Sequence, residues 1–271
     1  MYFLKALIEV SIPAFLMAAT AVSPAAQLST DARTTIPYDV QQLVVIDYRA
    51  MQNSTAAMSL RDRVMPPELK PFDEALRKSG LNDNHDVEQL AFVLFRQKDS
   101  SDQLATVGIA QGQFSVQEIT ANFRRQKLKP TVLRTNRIYP LVKAGMVACF
   151  VDPSTMVFGT PDAVRAALDA RDGVTASVLT NGPMMDAMKS VDTEPLWSIL
   201  DQKGTEFMVH LLLGNAGSIT DFESVRKHLQ SCRYGMDFQH GVKFDLTIST
   251  GDNFASTTLS SVLSAPWPFA S

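Results

Sequence analysis

This chain of 271 residues is 45% hydrophobic and 20% charged, and its formal net charge is −3. These values are typical of a globular protein with a substantial core, and they exclude a largely disordered chain. They also exclude a molecule that binds polyanions through its overall charge, so nucleic acid is not an expected partner.

The N-terminal segment has the pattern of an export signal. Lys5 precedes an apolar run, Ala6–Ala19, and the two best cleavage sites are Ala19-Thr20-Ala21 and Ser23-Pro24-Ala25. Glu9 and Pro13 interrupt the run, so a buried N-terminal helix is the alternative interpretation; a spanning helix would need about 20 apolar residues. We expect residues 1–26 to be a signal-peptide-like segment followed by a flexible linker at 27–36. The protein is then exported, and periplasmic or associated with the cell envelope.

Residues 37–174 are predicted to form a first α+β unit. The predicted strands are Gln41–Tyr48, Leu90–Arg96, Leu104–Gln111, Thr131–Arg134, Ile138–Val142, Met146–Val151 and Thr155–Phe158. The predicted helices are Met51–Val64, Glu68–Ser79, Ser115 to Lys127, and Ala163–Arg171.

Two helix starts carry strong local signals. Ser115 and Glu118 form a capping-box pattern, flanked by Phe114 and Ile119 as a hydrophobic staple. Thr160 is a second predicted N-cap, because Pro161 follows it as a favourable first helical residue.

Residues 175–264 are predicted to form a second, shorter α+β unit, followed by a tail at 265–271. Its predicted helices are Pro183–Ser190, Glu206–Leu213, Thr220–Leu229 and Phe254–Leu263, and its strands are Leu196–Asp201, Cys232–Phe238 and Val242–Ser249. The outline resembles the first unit without its last strands, which a truncated chain or a partner-completed sheet would both explain. We therefore expect an α+β fold with antiparallel sheets and helices packed on one face.

The two cysteines, Cys149 and Cys232, lie on apolar positions of predicted strands. Two buried free thiols and a single bridge are both compatible with the sequence, because a bridge requires Cα atoms within about 7 Å.

Basic residues are concentrated in one segment. Between Glu118 and Asp152 there is no acidic residue, so the segment carries +7 and the rest of the chain −10. One interpretation is a surface for an anionic partner such as lipid headgroups or a cell-wall polymer; the other is a helix end and a solvated strand pair. The candidate binding residues are Arg124, Arg125, Lys127, Lys129, Arg134, Arg137 and Lys143.

Motifs for catalysis, metals or cofactors are weak throughout. The four histidines are scattered, and Asn82–Glu88 lacks the glycine and glutamate that a calcium loop needs. Ser224 and Lys227 match Ser-x-x-Lys without the companion motifs, and Gly108–Gly112 lacks a phosphate-loop spacing. No catalytic residue, cofactor or metal is predicted.

Three stretches, Gln41–Tyr48, Gly108–Phe114 and Met156–Gly159, carry a resemblance to known proteins. From Pro37 to Ser261 the chain is similar to uncharacterised exported bacterial proteins, a hypothetical-protein family with no assigned activity. The resemblance implies an extracytoplasmic layout of strand, helix and self-similar sheet, and it implies no active-site residues. Members of this family usually continue further at the C-terminus.

Together these patterns predict a non-enzymatic exported protein that binds a ligand or partner at the envelope. The partner would be an anionic envelope component or another protein. The alternative is an envelope hydrolase whose site is assembled from residues far apart in sequence.

Overall fold

The computed structural model describes residues 27–55, 58, 69–81, 86–97, 100–141, 145–213, 222–238 and 243–263. The expected signal segment at 1–26, the tail at 265–271, most of the helix Met51–Val64, the loop at 82–85 and the turn at His240-Gly241 lie outside the described residues.

Ten antiparallel strands form one sheet in the order β10-β9-β8-β1-β2-β3-β7-β6-β5-β4. The strands are β1 (Val40–Asp47), β2 (Val87–Gln97), β3 (Ser100–Gly112), β4 (Thr131–Leu133), β5 (Asn136–Pro140), β6 (Val147–Asp152), β7 (Thr155–Gly159), β8 (Leu196–Leu200), β9 (Leu229–Asp237) and β10 (Lys243–Thr250). The α+β class with antiparallel pairing is confirmed.

The helices lie before, between and after the strands along the chain. They are α1 (Thr30–Thr34), α2 (Tyr48–Gln52), α3 (Leu69–Lys78), α4 (Val116–Arg125), α5 (Pro161–Arg171), α6 (Gly182–Lys189), α7 (Gln202–Leu213), α8 (Phe222–Arg226) and α9 (Asn253–Leu263), with a 3₁₀ turn at Val178–Thr180.

Helices cover both faces of the sheet, not one as expected. On one face α1, α5 and α6 pack over alternating strand residues such as Val45 and Val157. On the other, α3 and α4 pack over their neighbours, including Met156 and Phe158. Consecutive strand residues are therefore buried on opposite sides, which is why these strands are continuously apolar. A smaller core joins α7, α8 and α9 to β9 and β10.

The predicted linker at 27–36 is wrong. It contains α1, whose Ser29 side chain accepts a hydrogen bond from the Ala32 amide at 3.1 Å. Leu28, Ala32 and Ile36 are buried in the main core. Ala32 lies within α1 while Leu28 and Ile36 flank it, and all three pack in the same core, so burial outweighs the polar composition of the segment.

The two expected units share a single sheet. β1 pairs with β2 on one side and with β8 on the other, from Gln42 opposite Leu200 to Ile46 opposite Leu196. The strand at the start of the first half is thus the central link to the second half.

Of the two predicted helix starts, only Thr160 forms its cap. Its hydroxyl accepts from the Ala163 amide at 3.4 Å, and its ψ is 155°. Ser115 is the N-cap of α4, but its ψ is 65° and its side chain makes no cap hydrogen bond. An N-cap hydroxyl reaches the first turn from an extended backbone, which Ser115 does not adopt, so the predicted capping box does not form. Phe114 and Ile119 nevertheless share one buried cluster.

Gly112 lies where the backbone of β3 closely approaches the backbone of Asp86. A Cβ at this position would lie 1.8 Å from the carbonyl oxygen of Asp86, so no side chain fits. The glycine therefore serves strand packing before α4.

Candidate functional site

The strongest candidate site is a cleft of about 680 Å³ at the seam between β5 and β6. Helices from both faces of the sheet contribute to it. It is lined by Asp31 and Thr34 of α1, Val116 and Thr120 of α4, Thr135, Asn136, Arg137 and Tyr139 in and before β5, Phe150, Val151 and Asp152 of β6, and Arg171 of α5.

The cleft opens because β5 and β6 diverge. They pair only at Tyr139 opposite Ala148 and at Pro140 opposite Val147. β6 continues along β7 to Asp152, with a register shift between Phe150 and Asp152 that bends the strand. The end of β6 and the start of β5 therefore form the two walls of the cleft.

Arg137 is the accessible cation of this cleft. It is exposed on β5, and among the described residues it has no ion-pair partner. Arg171, by contrast, is held by Asp172 at 2.7 Å and donates to the Asn136 side-chain oxygen at 2.9 Å. Arg137 is thus free to meet a ligand, while Arg171 is fixed in place.

Asn136 has an unsatisfied amide at the wall of the cleft. The residue is 7% exposed, and its Nδ2 is buried with no hydrogen-bond acceptor. Arg171 donates to Oδ1, which fixes the amide orientation and leaves the NH₂ group as the unpaired end. A buried donor without a partner costs about 1–3 kcal/mol, and because Nδ2 is itself buried a ligand oxygen reaches it only if the wall of the cleft shifts.

Two carboxylates also line the cleft. Asp152 accepts hydrogen bonds from the Ser154 amide and hydroxyl, both at 2.7 Å, and so fixes the turn after β6. Asp31 lies in the first turn of α1 and is exposed. These acids limit the negative charge that a ligand can bring into the cleft.

The described members of the predicted basic set lie in different elements. Arg124 and Arg125 are exposed in the last turn of α4, and Lys127 and Lys129 are exposed in the connection to β4. Lys143 lies outside the described residues. Only Arg137 enters the cleft. A role of the others in anion binding stays a prediction.

Arg134 has a structural role. Its guanidinium bonds to Asp169 at 2.8 Å and to Asp172 at 2.5 Å, at the end of α5. Burial acts to raise the pKa of the Asp172 carboxyl, but the hydrogen bonds from Arg171 and Arg134 outweigh it and lower that pKa. The positive charge of Arg134 is therefore used within the fold.

The sequence did not point to Asn136, Arg171 or Asp31. Arg171-Asp172-Gly173 has the pattern of a helix end, and nothing in its spacing indicates contact with a residue 35 positions earlier. Thr135 and Asn136 lie between the predicted strands Thr131–Arg134 and Ile138–Val142, whereas β5 begins at Asn136.

Cys149 and Cys232 are buried free thiols. Five strands separate β6 from β9, each adding about 4.8 Å, so the two residues are much too far apart for a bridge. Burial raises the pKa of Cys149 to about 11 and that of Cys232 to about 12. Neither thiol is therefore suited to act as a nucleophile at neutral pH.

Other chemistries gain no support in the described part of the chain. It contains no cluster of metal-ligating side chains. Ser224 and Lys227 lie at α8, and Lys227 is exposed. Among the helices that the structure describes, none combines the length and apolar composition needed to cross a membrane.

Known proteins resemble this chain in fold only. No family model matches it, and no curated protein matches. The solved structure of TP0453 in crystal form I has a TM-score of 0.53 at 11% identity, covering 88% of this chain and 87% of that chain. Crystal form III of TP0453 has a TM-score of 0.55 at 9% identity, covering 87% of each chain. At these identities the likeness shows a shared architecture and nothing of activity.

Proposed function

We propose that this chain is an exported, non-enzymatic binding protein of the cell envelope, which holds a small ligand with one acidic group in the β5–β6 cleft. The observation that carries the proposal is an unpaired Arg137 beside the unsatisfied amide of Asn136. Arg137 offers its donors from an exposed position at this concave site, and the buried Asn136 amide lies in the wall of the same site.

The export part of the proposal is supported by the N-terminal pattern of Lys5, the apolar run Ala6–Ala19 and the small residues after it. Cell fractionation with N-terminal sequencing tests it. We expect the mature protein outside the cytoplasm, beginning at Val22 or Ala26. A cytoplasmic protein that retains Met1 would contradict export and leave the cleft proposal standing.

The ligand class follows from the donors and acids of the cleft. A carboxylate or a phosphate monoester accepts charged hydrogen bonds from a guanidinium such as that of Arg137. Asp31 and Asp152 would repel a polyanion, so a ligand with a single acidic group fits better than a polymer. Phe150 and Val116 supply apolar surface for the remainder of such a ligand.

An NMR titration tests the cleft, with glycerate and glycerol 1-phosphate as acidic probes and glycerol as the neutral control. We expect the acidic probes to bind and Arg137→Gln to weaken binding about tenfold, because a charged hydrogen bond contributes about 1.5–3 kcal/mol. Arg125→Gln removes an exposed arginine at the end of α4, outside the cleft, and should leave binding unchanged. Equal effects of the two substitutions, or equal binding of glycerol, would overturn the ligand assignment.

The alternative prediction, an envelope hydrolase, has a different requirement. Its site would need a nucleophile within hydrogen-bond reach of a base. Among the described lining residues no threonine or tyrosine hydroxyl is hydrogen-bonded to the carboxylate of Asp31 or Asp152, and the Ser154 hydroxyl that donates to Asp152 is not part of the lining. The binding role is therefore the function that this geometry supports best.

A further inference from the structure

The two edges of the sheet are built differently. β4 has three residues, and Lys129 and Pro130 precede it. A short strand, a nearby lysine and a proline are devices that prevent an edge from pairing with another chain. β10 has eight residues and no proline, and it follows β9 without a register shift from Lys243 to Ser249. In the part of the chain that the structure describes, no strand lies beyond it.

Side chains alternate along β10. Phe244, Leu246 and Ile248 point to one face, and the residues between them point to the other. Phe244 is 47% exposed although its ring contacts Tyr234, with 5.6 Å between centroids. Lys243 and Asp245 pair with each other at 2.7 Å on the polar face. The edge thus offers an unpaired backbone, a half-exposed apolar row and a polar row without net charge.

We propose that β10 is the interface with a second copy of this chain. The two β10 strands pair antiparallel about a twofold axis at Leu246 and join two ten-stranded sheets into one.

This register is self-complementary. Leu246 lies opposite its own symmetry mate, and Phe244 lies opposite Ile248, so apolar residues meet apolar residues. On the other face Asp245 lies opposite Thr247 and Lys243 opposite Ser249, so no like charges are opposed. A second copy can therefore pair with β10 from Lys243 to Ser249 with compatible side chains on both faces.

Charge substitutions at the axis give the sharpest test. The wild-type protein should be a dimer in size-exclusion chromatography with light scattering. Leu246→Lys and Leu246→Glu should each weaken dimerisation about tenfold or more, because each opposes like charges across the axis. An equimolar mixture of the two variants should recover the dimer, since lysine then faces glutamate. This recovery would also show that both variants are folded.

Two matched controls separate the axis from the rest of the strand. Thr247→Lys places an equally long cation on the other face, opposite Asp245, and should leave the dimer intact. Leu246→Cys should form an intermolecular disulfide under mild oxidation, because opposite Cα atoms of antiparallel strands are about 4.5–5.5 Å apart. Val132→Cys on the protected edge β4 should not, although Val132 is 64% exposed.

A wild-type protein that stays monomeric at high concentration would overturn the proposal. So would a dimer that Leu246→Lys leaves unchanged, or a mixture of charge variants that stays monomeric. Capture of a different protein at β10 by a monomeric wild type would equally refute self-pairing.

Discussion

At the scale of single residues, backbone conformation decides whether a capping side chain forms its bond. Thr160 and Ser115 both precede helices, but only Thr160 has the extended backbone that lets its oxygen accept from the first turn. We expect Thr160→Ala to lower the free energy of unfolding by about 1 kcal/mol. Ser115→Ala should change it by less than about 0.5 kcal/mol, because an exposed hydroxyl without a cap bond is lost. Urea denaturation of the two variants measures both; equal losses would show that the cap bond at Thr160 has no special role.

The role of a charged residue likewise depends on its structural surroundings and not on its residue type. Arg134 and Arg137 are three positions apart and look equivalent in sequence. The structure pairs Arg134 with Asp169 and Asp172 and leaves Arg137 in the cleft. A basic cluster could therefore be predicted from composition, but its division into structural and accessible cations depends on contacts more than thirty residues apart.

At the scale of elements, hydrophobic patterning predicted most strands and the class of the fold. The apolar run of β7 belongs to a strand buried on both faces, whereas alternation in β10 marks a strand with one polar face. Patterning could not predict which helices cover each face of the sheet. α1, α5 and α6 come from distant parts of the chain and pack together on one face of the sheet.

The cleft, too, could not be predicted from the pattern of its individual strands. Each of its walls is a predictable strand, yet the cleft exists because β5 and β6 separate after two paired positions. That divergence depends on the bend in β6 and on which helix ends fill the space beside it, neither of which has a local sequence signal. The prediction placed Arg137 just before a strand beginning at Ile138, whereas β5 begins at Asn136 and includes it, and its position in a cleft had no sequence signal.

At the scale of the whole molecule, the central position of β1 determines how the two halves depend on each other. β1 pairs with β2 of the first half and with β8 of the second, and the largest buried cluster contains residues from both halves. Val93 on β2 and Trp197 on β8 are both fully buried in that cluster. A destabilising substitution in one half should therefore also destabilise the other half, because the same core stabilises both.

We expect one cooperative unfolding transition, and a core truncation in the first half to move it as a whole. Val93→Ala should lower the free energy of unfolding by about 2 kcal/mol. Trp197 fluorescence, in a Trp267→Phe background that removes the second tryptophan, should report the same shift in urea midpoint as far-UV circular dichroism. Val174→Ala is the control, because Val174 is 61% exposed and its truncation should move neither signal. Two independent units would behave otherwise: Val93→Ala would shift the circular dichroism of the first half and leave the Trp197 transition unchanged, and that result would refute the shared core as the source of stability.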